Sequence, residues 1–337
     1  MATIAFFELE PWEKKYVKKR LKEHKLVFVD ETLNPETVDN AKTADAVSVF
    51  IYSKVDKKIL LKLPKLKLVC TRSTGFDHID LKTCKSRRIS VTNVPAYGDI
   101  TVAEHTFALL LALSRKIVQA VETTRKGSFE FTGLCGTDLK GKTLGVVGTG
   151  KIGRNVAHIG SCGFGMKVIA FDLFPNPALA KECGFTYVPF DKLLAESDVI
   201  TFHVPLTKET KHMLNRKNLR KVKKGAILIN TSRGAVIETG AILEGVKEGI
   251  FSGVGLDVIE EEGAMKEELE LLSKPSKKKE IDYKTLLQEH ILVEQPNVLI
   301  TPHCAFYSKE ALQRILDTTI QNIECFIAKK PVNVVKC

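Results

Sequence analysis

The stretch KTLGVVGTGKIGR, Lys142 to Arg154, holds glycines at Gly148, Gly150 and Gly153 in the spacing G-x-G-x-x-G. The spacing alone is weak, so its surroundings decide. A β-branched run, Thr143–Val147, precedes it, a helical stretch over Arg154–Phe164 follows, and a second apolar run, Lys167–Phe171, ends in Asp172. That acid lies nineteen residues past the last glycine, close to the spacing of a dinucleotide-binding βαβ unit.

Each residue of the motif has a separate task. Gly148 permits the tight turn after the strand. Gly150 offers no side chain, so a pyrophosphate can approach the backbone. Gly153 lets helix and strand pack closely. The open amides of the helix start, at Gly150, Lys151, Ile152 and Gly153, favour an anion. Asp172 can accept hydrogen bonds from ribose hydroxyls and would repel a 2′-phosphate, and Leu173 beside it supplies no compensating charge. The expected cofactor is NAD, not NADP.

Outward from this motif, the same alternation continues. Towards the C-terminus the candidate strands are Val199–His203, Ala226–Asn230, Gly253–Asp257 and Val298–Thr301. Towards the N-terminus they are Ile4–Phe7, Lys25–Val29, Ala46–Ile51, Leu68–Thr71 and Ser90–Asn93, with Trp12–His24 and Pro35–Asn40 suited to helices. Strands alternating with helices predict an α/β protein with parallel sheets covered on both faces. Between the two sets, Thr101 to Lys126 holds no glycine or proline and reads as one long helix. Its middle, Phe107 to Leu113, is apolar nearly all round, which requires burial on most sides. Ser308 to Lys329 reads as an amphipathic helix with Ser308 as N-cap.

Length and composition bound the function classes. At 337 residues the chain is long enough for two domains, and 44% hydrophobic with 27% charged residues is the balance of a globular protein. The longest apolar run, Phe107–Leu113, is far short of the roughly 20 residues of a spanning helix. No membrane partner is expected, and the start MATIAFFELEPWEKK reads as a first strand, not as a signal peptide. A net charge of +11 raises the question of a nucleic-acid partner. The lysines are spread along the chain and mixed with glutamates, so solvated helix faces are the expectation, and no nucleic acid. None of the eight cysteines stands in a C-x-x-C pair. No metal site is expected, and reduced thiols in a cytoplasmic protein are the plain reading. Glu260 to Gln295, with Lys-Pro-Ser-Lys-Lys-Lys at 274–279, reads as a surface insertion with some helix.

Three strands after the glycine motif end in ionisable residues: Asn230-Thr-Ser-Arg-Gly234, Leu256-Asp-Val-Ile-Glu-Glu-Glu262 and Thr301-Pro-His303. Hydride transfer to a keto acid needs a clamp for the carboxylate and a proton donor for the carbonyl. Arg233 can supply the first and His303 the second. Glu262, hydrogen-bonded to that histidine, would favour the imidazolium. His78, His105 and Asp77 read as helix-start or packing residues, Cys304 as a packed thiol, and His158 and His212 carry no signal.

These strings, in this order, resemble the D-isomer-specific 2-hydroxyacid dehydrogenases over nearly the whole chain. Also similar to that family are Thr71-Arg-Ser-Thr-Gly-Phe-Asp-His-Ile-Asp80, Val94-Pro-Ala-Tyr97, Val102-Ala-Glu-His105 and His203-Val-Pro-Leu-Thr207. The resemblance implies two doubly wound domains. A Rossmann NAD-binding domain would span 100–303, and a discontinuous flavodoxin-like substrate domain would comprise 1–99 plus 304–337. It also implies catalytic roles for Arg233, Glu262 and His303. Glu262 is chosen from three consecutive glutamates because it lies five residues after Asp257, as in the family motif. Backbone amides of Thr74 and Gly75 would bind the substrate carboxylate, with Tyr97 and Phe306 lining the pocket. Thr231, Ser232, Asp257 and the loop His203, Val204 and Pro205 would lie beside the cofactor. The 101–126 helix region would form a homodimer. Gly133-Leu-Cys-Gly136, the insertion after Glu262 and Pro302-His-Cys-Ala-Phe-Tyr307 resemble the members that reduce pyruvate to D-lactate. The alternatives are a bulkier D-2-hydroxy acid, of the 2-hydroxyisocaproate or phenyllactate type, and an NAD-sensing binding protein.

Overall fold

The computed structural model describes residues 1–262 and 282–335. The chain divides into two compact units, Met1–Tyr97 with Tyr307–Cys337, and Gly98–Phe306. The Lys-Pro-Ser-Lys-Lys-Lys segment at 274–279 lies outside the described residues.

In the first unit, β1 (Thr3–Phe7), β2 (Lys25–Val29), β3 (Ala46–Val49), β4 (Leu68–Thr71) and β5 (Ser90–Thr92) form one parallel sheet. The order is β2-β1-β3-β4-β5, a doubly wound flavodoxin-like arrangement. Successive side chains of β1 enter opposite cores. Ala5 and Phe7 pack with Val47, Val69 and Leu60 on one face. Ile4 and Phe6 pack with Val17 and with Leu316, Ile320 and Ile323 of the helix Lys309–Ile327 on the other. Burial on both faces explains why these strands read as continuous apolar runs. Ser308 caps that last helix by accepting the Ala311 N–H at 3.1 Å, as its position predicts.

In the second unit, β6 (Thr143–Val147), β7 (Lys167–Phe171), β8 (Thr186–Tyr187), β9 (Val199–Phe202), β10 (Ala226–Asn230), β11 (Phe251–Leu256) and β12 (Val298–Ile300) form a parallel sheet. Its order is β12-β11-β10-β9-β6-β7-β8, with the direction of winding reversing between β6 and β9. This is the Rossmann arrangement, which binds ligands at the carboxyl ends of its strands around the reversal. No helix among the described residues is long and apolar enough to cross a membrane.

Among the departures from expectation, three stand out. The stretch 101–126 is two helices, Asp99–Ser114 and Ile117–Arg125, not one. At the junction Lys116 adopts φ +52°. The cause lies in a distant segment: the Ser114 carbonyl accepts the N–H of Thr137 at 2.8 Å, and Lys116 Nζ donates to the Gly133 carbonyl at 2.7 Å. The apolar middle buries Phe107, Leu109 and Leu110, whereas the second helix has no buried residue. Pro35–Asn40 yields only a 3-10 turn over Val38–Ala41. The two-residue β8 was not anticipated.

Candidate active site

The strand ends of the second unit line up. Phe171, Val147, Phe202, Asn230, Leu256 and Ile300 are successive register partners across β7, β6, β9, β10, β11 and β12. The residues just beyond them are Asp172, Gly148, His203, Thr231, Asp257 and Thr301. Strands stand about 4.8 Å apart, so this row extends roughly 24 Å. The Asn230-to-Gly234, Leu256-to-Glu262 and Thr301-to-His303 segments all leave the sheet from this one edge.

The glycine turn at the row's centre has the shape a pyrophosphate requires. Gly148 sits at φ +92°, and a Cβ there would stand 2.7 Å from the His203 carbonyl oxygen. A Cβ on Gly153 would collide with the Gly148 carbonyl, so helix Lys151–His158 can lie against the turn only because that residue is glycine. A Cβ on Gly150 would meet nothing within 4 Å. The middle glycine therefore faces open space above the helix start, where the amides of Gly150, Lys151, Ile152 and Gly153 begin the helix. His203 adds an orphaned donor or acceptor. Its Nε2 is bonded to Thr201 Oγ1 at 2.9 Å, while its Nδ1 is buried with no partner. Burial pushes its pKa down to about 3, so the ring is neutral at physiological pH. These features fit a dinucleotide laid across the turn.

Asp172 closes the turn from the side. Its Oδ2 accepts the N–H and Oγ1–H of Thr149 at 2.7 and 2.9 Å, and its Oδ1 accepts the N–H of Phe174 at 2.9 Å. Thr149 Oγ1 is also bonded to Tyr187 Oη at 2.7 Å. The acid is thus held in place at the end of β7, and the short β8 supplies Tyr187 to this network.

The turn that presents Arg233 is built by Asn230. This buried side chain donates from Nδ2 to the Arg233 carbonyl at 3.0 Å and accepts the Ser232 N–H and Oγ–H at 3.0 and 2.8 Å. Thr231 Oγ1 is anchored to Thr106 Oγ1 of helix Asp99–Ser114 at 3.1 Å. Gly234 lies against the backbone of Ile259 and Glu260, leaving no room for a Cβ. The guanidinium of Arg233 is exposed, and its one hydrogen bond among the described residues runs from Nη1 to the Ser232 carbonyl.

His303 and Glu262 form a pair. Nδ1 of the histidine lies 3.0 and 2.9 Å from the two carboxylate oxygens of Glu262, so its N–H donates to the carboxylate. Nε2 has no partner among the described residues and can serve a substrate oxygen. His303 has φ +54°, a conformation uncommon for a residue with a side chain. Asp257 holds it there: Oδ1 accepts from Thr301 Oγ1 at 2.5 Å and from the Cys304 N–H at 2.9 Å, and Oδ2 accepts the Ala305 N–H at 2.9 Å. His105 Nε2 bonds to Thr301 Oγ1 at 3.1 Å and completes the support.

The three glutamates separate by partner. Glu260 accepts from His212 at 2.6 Å and from Thr239 N–H and Oγ1–H at 2.7 Å each. It ties a loop to the start of helix Thr239–Lys247 and leaves Glu262 to the histidine. The Glu260–His212 contact escaped the sequence, where His212 had no pattern around it. So did Glu289, a buried acid that accepts the Glu261 N–H at 3.0 Å.

In the first unit, Ser73, Thr74 and Gly75 form a turn beyond β4. Ser73 Oγ donates to the Gly75 carbonyl at 2.6 Å, and Thr74 Oγ1 to the Val94 carbonyl at 2.9 Å. The N–H groups of Thr74 and Gly75 have no partner among the described residues. Tyr97, at the end of this unit's first segment, and Phe306, the last residue of the second unit, are each half-buried.

Comparison with known proteins accords with this geometry. Residues 107–305 match the family model of the D-isomer-specific 2-hydroxyacid dehydrogenase NAD-binding domain. The chain is 39% identical to the D-lactate dehydrogenase of Aquifex aeolicus, solved with NAD and lactic acid, with a TM-score of 0.82 over 97% of this chain and 96% of that one. It is 34% identical to the pyruvate reductase of Chlamydomonas reinhardtii, with a TM-score of 0.88 over 98% of each chain. It is also 39% identical to a glyoxylate reductase of Thermococcus litoralis, over 86% of this chain and 82% of that protein. The chain belongs to the NAD-dependent D-isomer-specific 2-hydroxyacid dehydrogenases, and residues 107–305 are its NAD-binding domain.

Proposed function

We propose that this enzyme is a D-lactate dehydrogenase that interconverts pyruvate and D-lactate. The observation that carries the chemistry is the His303 pair: Glu262 grips Nδ1 with both oxygens, and Nε2 is left for a substrate. Similarity to proteins named for D-lactate and pyruvate supports the choice of acid.

In this reading NADH supplies the hydride. Arg233 binds the keto-acid carboxylate and polarises its carbonyl. His303 Nε2–H gives its proton to the carbonyl oxygen as negative charge develops there. The Glu262 carboxylate stabilises the imidazolium before that transfer and keeps the ring oriented throughout. Asp257 acts through the 301–305 loop. We assign the open N–H groups of Thr74 and Gly75 to the carboxylate as well, and Tyr97 and Phe306 to the walls around the methyl group. In this proposal the first unit is the substrate domain.

We also propose a homodimer formed through the 101–126 region. Ile117, Val118 and Val121 are exposed on the second helix, and Phe129 and Phe131 just after it are 87% and 84% exposed. Dimer contact would cover these apolar groups. The free thiols of the described cysteines suit a reducing cytoplasm.

The assay is NADH oxidation followed at 340 nm with pyruvate, glyoxylate, 2-ketoisocaproate, phenylpyruvate and hydroxypyruvate, with NADPH as control and the hand of the product determined. The highest kcat/KM with pyruvate and a D product is expected. Preference for glyoxylate, favoured by the equally similar glyoxylate reductase, or for a bulkier acid keeps the mechanism and replaces the substrate. NADH binding without turnover of any acid overturns the assignment.

A further inference from the structure

Glu289 lies within the helix Tyr283–Val293 and has no solvent exposure. Glutamate is seldom fully buried without a charged partner. Here Oε1 accepts the N–H of Glu261 at 3.0 Å, and Oε2 is buried with no hydrogen-bond partner. The helix could fill this position with an apolar side chain, as it does at Leu286 and Leu292. A carboxyl group is instead placed under the backbone of the loop that carries Glu262.

The contact falls at the middle of the three glutamates. Glu260 is committed to His212 and Thr239, and Glu262 to His303. The Glu261 amide between them is pinned from below. We propose that Glu289 is a positioning residue for proton transfer: by taking the Glu261 N–H it fixes the register of Glu260–Glu262 and holds the Glu262 carboxylate on Nδ1 of His303. Its kinetic consequence rests on the dehydrogenase reading above.

The device is sensitive to pH. Burial raises the Glu289 pKa to about 7, the backbone N–H groups of Glu261, which it binds, and of Glu260 oppose that rise, and the charges of Glu260 and Glu261 add to it. Of the charges that act on it, those two loop carboxylates have the largest effect. Of the elements that pack on the same helix, Thr239–Lys247 carries Glu244 and Lys247, and strand β12 carries no charged residue. The neutral acid keeps the amide bond without repelling the loop, whereas the anion repels the carboxylates on either side of the amide it holds. Glu262 is therefore held best below the transition.

The test compares Glu289→Gln and Glu289→Leu in the full chain. Glutamine keeps an oxygen for the Glu261 N–H and cannot ionise; leucine removes the acceptor. The leucine variant is expected to lose at least tenfold in kcat for pyruvate, with the Kd for NADH within twofold of wild type and faster hydrogen exchange in the peptide containing Glu261. Glutamine should restore kcat at pH 6 to within twofold, restore slow exchange, and delete one ionisation near pH 7 from the kcat–pH profile. Wild-type kcat and exchange in the leucine variant would overturn the proposal, as would a wild-type pH profile in the glutamine variant. A leucine variant that fails to bind NADH leaves the decision to glutamine. Wild-type protein that turns over no keto acid defeats the functional reading, and exchange at Glu261 in the two variants then decides the positioning separately.

Discussion

Gly234 leaves no room for a side chain against Ile259: a Cβ there would stand 2.1 Å from the Ile259 carbonyl carbon and oxygen. This contact joins the turn that carries Arg233 to the backbone that runs into Glu260–Glu262. Gly234→Ala must push the two segments apart, and both bear residues assigned to the reaction. A fall of at least tenfold in kcat/KM for the keto acid is expected, together with about 1–3 kcal/mol of lost stability from overpacking. Steady-state kinetics and urea unfolding on the same preparation check both. Unchanged kcat/KM in a destabilised variant would show that the contact serves the fold alone.

Arg233→Gln removes the charge while leaving the Asn230-built turn intact, because Asn230 holds the turn through the Arg233 carbonyl and through Ser232 and makes no bond to the guanidinium. Losing a charge-assisted clamp costs about 2–5 kcal/mol, or roughly 30-fold to several thousand-fold in kcat/KM. KM should rise strongly and kcat should also fall, since polarisation of the carbonyl is greatest in the transition state. If both constants stay near wild type, Arg233 does not touch the substrate.

Asp172 makes a different kind of prediction, because it serves the turn as well as the ligand. Asp172→Ala deletes the acceptor for Thr149 N–H and Oγ1–H and the charge that would repel a 2′-phosphate. NADH should bind about tenfold more weakly or worse, while NADPH gains relative to NADH. Binding titrations with the two nucleotides separate the effects. An unchanged ratio of the two affinities would mean that Asp172 acts only through Thr149.

The strand ends were legible in the sequence for a local reason. Apolar runs buried on both faces stop where a glycine or polar residue begins the loop, so Gly148, Asp172, His203, Asn230, Asp257 and Thr301 mark their own positions. The break at Ser114–Ile117 has no such mark, since its cause is a hydrogen bond from Thr137, more than twenty residues away. Tyr187 lies on a strand too short to show a period, and only the folded chain brings it to Thr149. Glu289 is the clearest case. A charged residue on a helix ordinarily faces water, and nothing in the sequence around it shows that this one lies beneath Glu261.

The burial of Glu289 sets a signature in stability. Its pKa rises from an ordinary value near 4.5 to about 7 in the folded chain. Between those values the folded state holds a proton that the unfolded state has released, so stability falls as pH rises through this window. The contribution is fully present below about pH 4.5 and lost once pH passes about 7. At 1.36 kcal/mol per unit, the loss is about 3 kcal/mol. Glu289→Gln has no proton to lose there. Measured against wild type, its unfolding free energy should gain by up to about 3 kcal/mol between pH 4.5 and pH 8, in urea melts at a series of pH values. A difference between the two proteins that does not change with pH would show that Glu289 titrates as an ordinary solvated acid. A gain on the alkaline side would mean that the chain keeps this carboxyl group at a cost to its own stability, as a group that positions Glu262 would require.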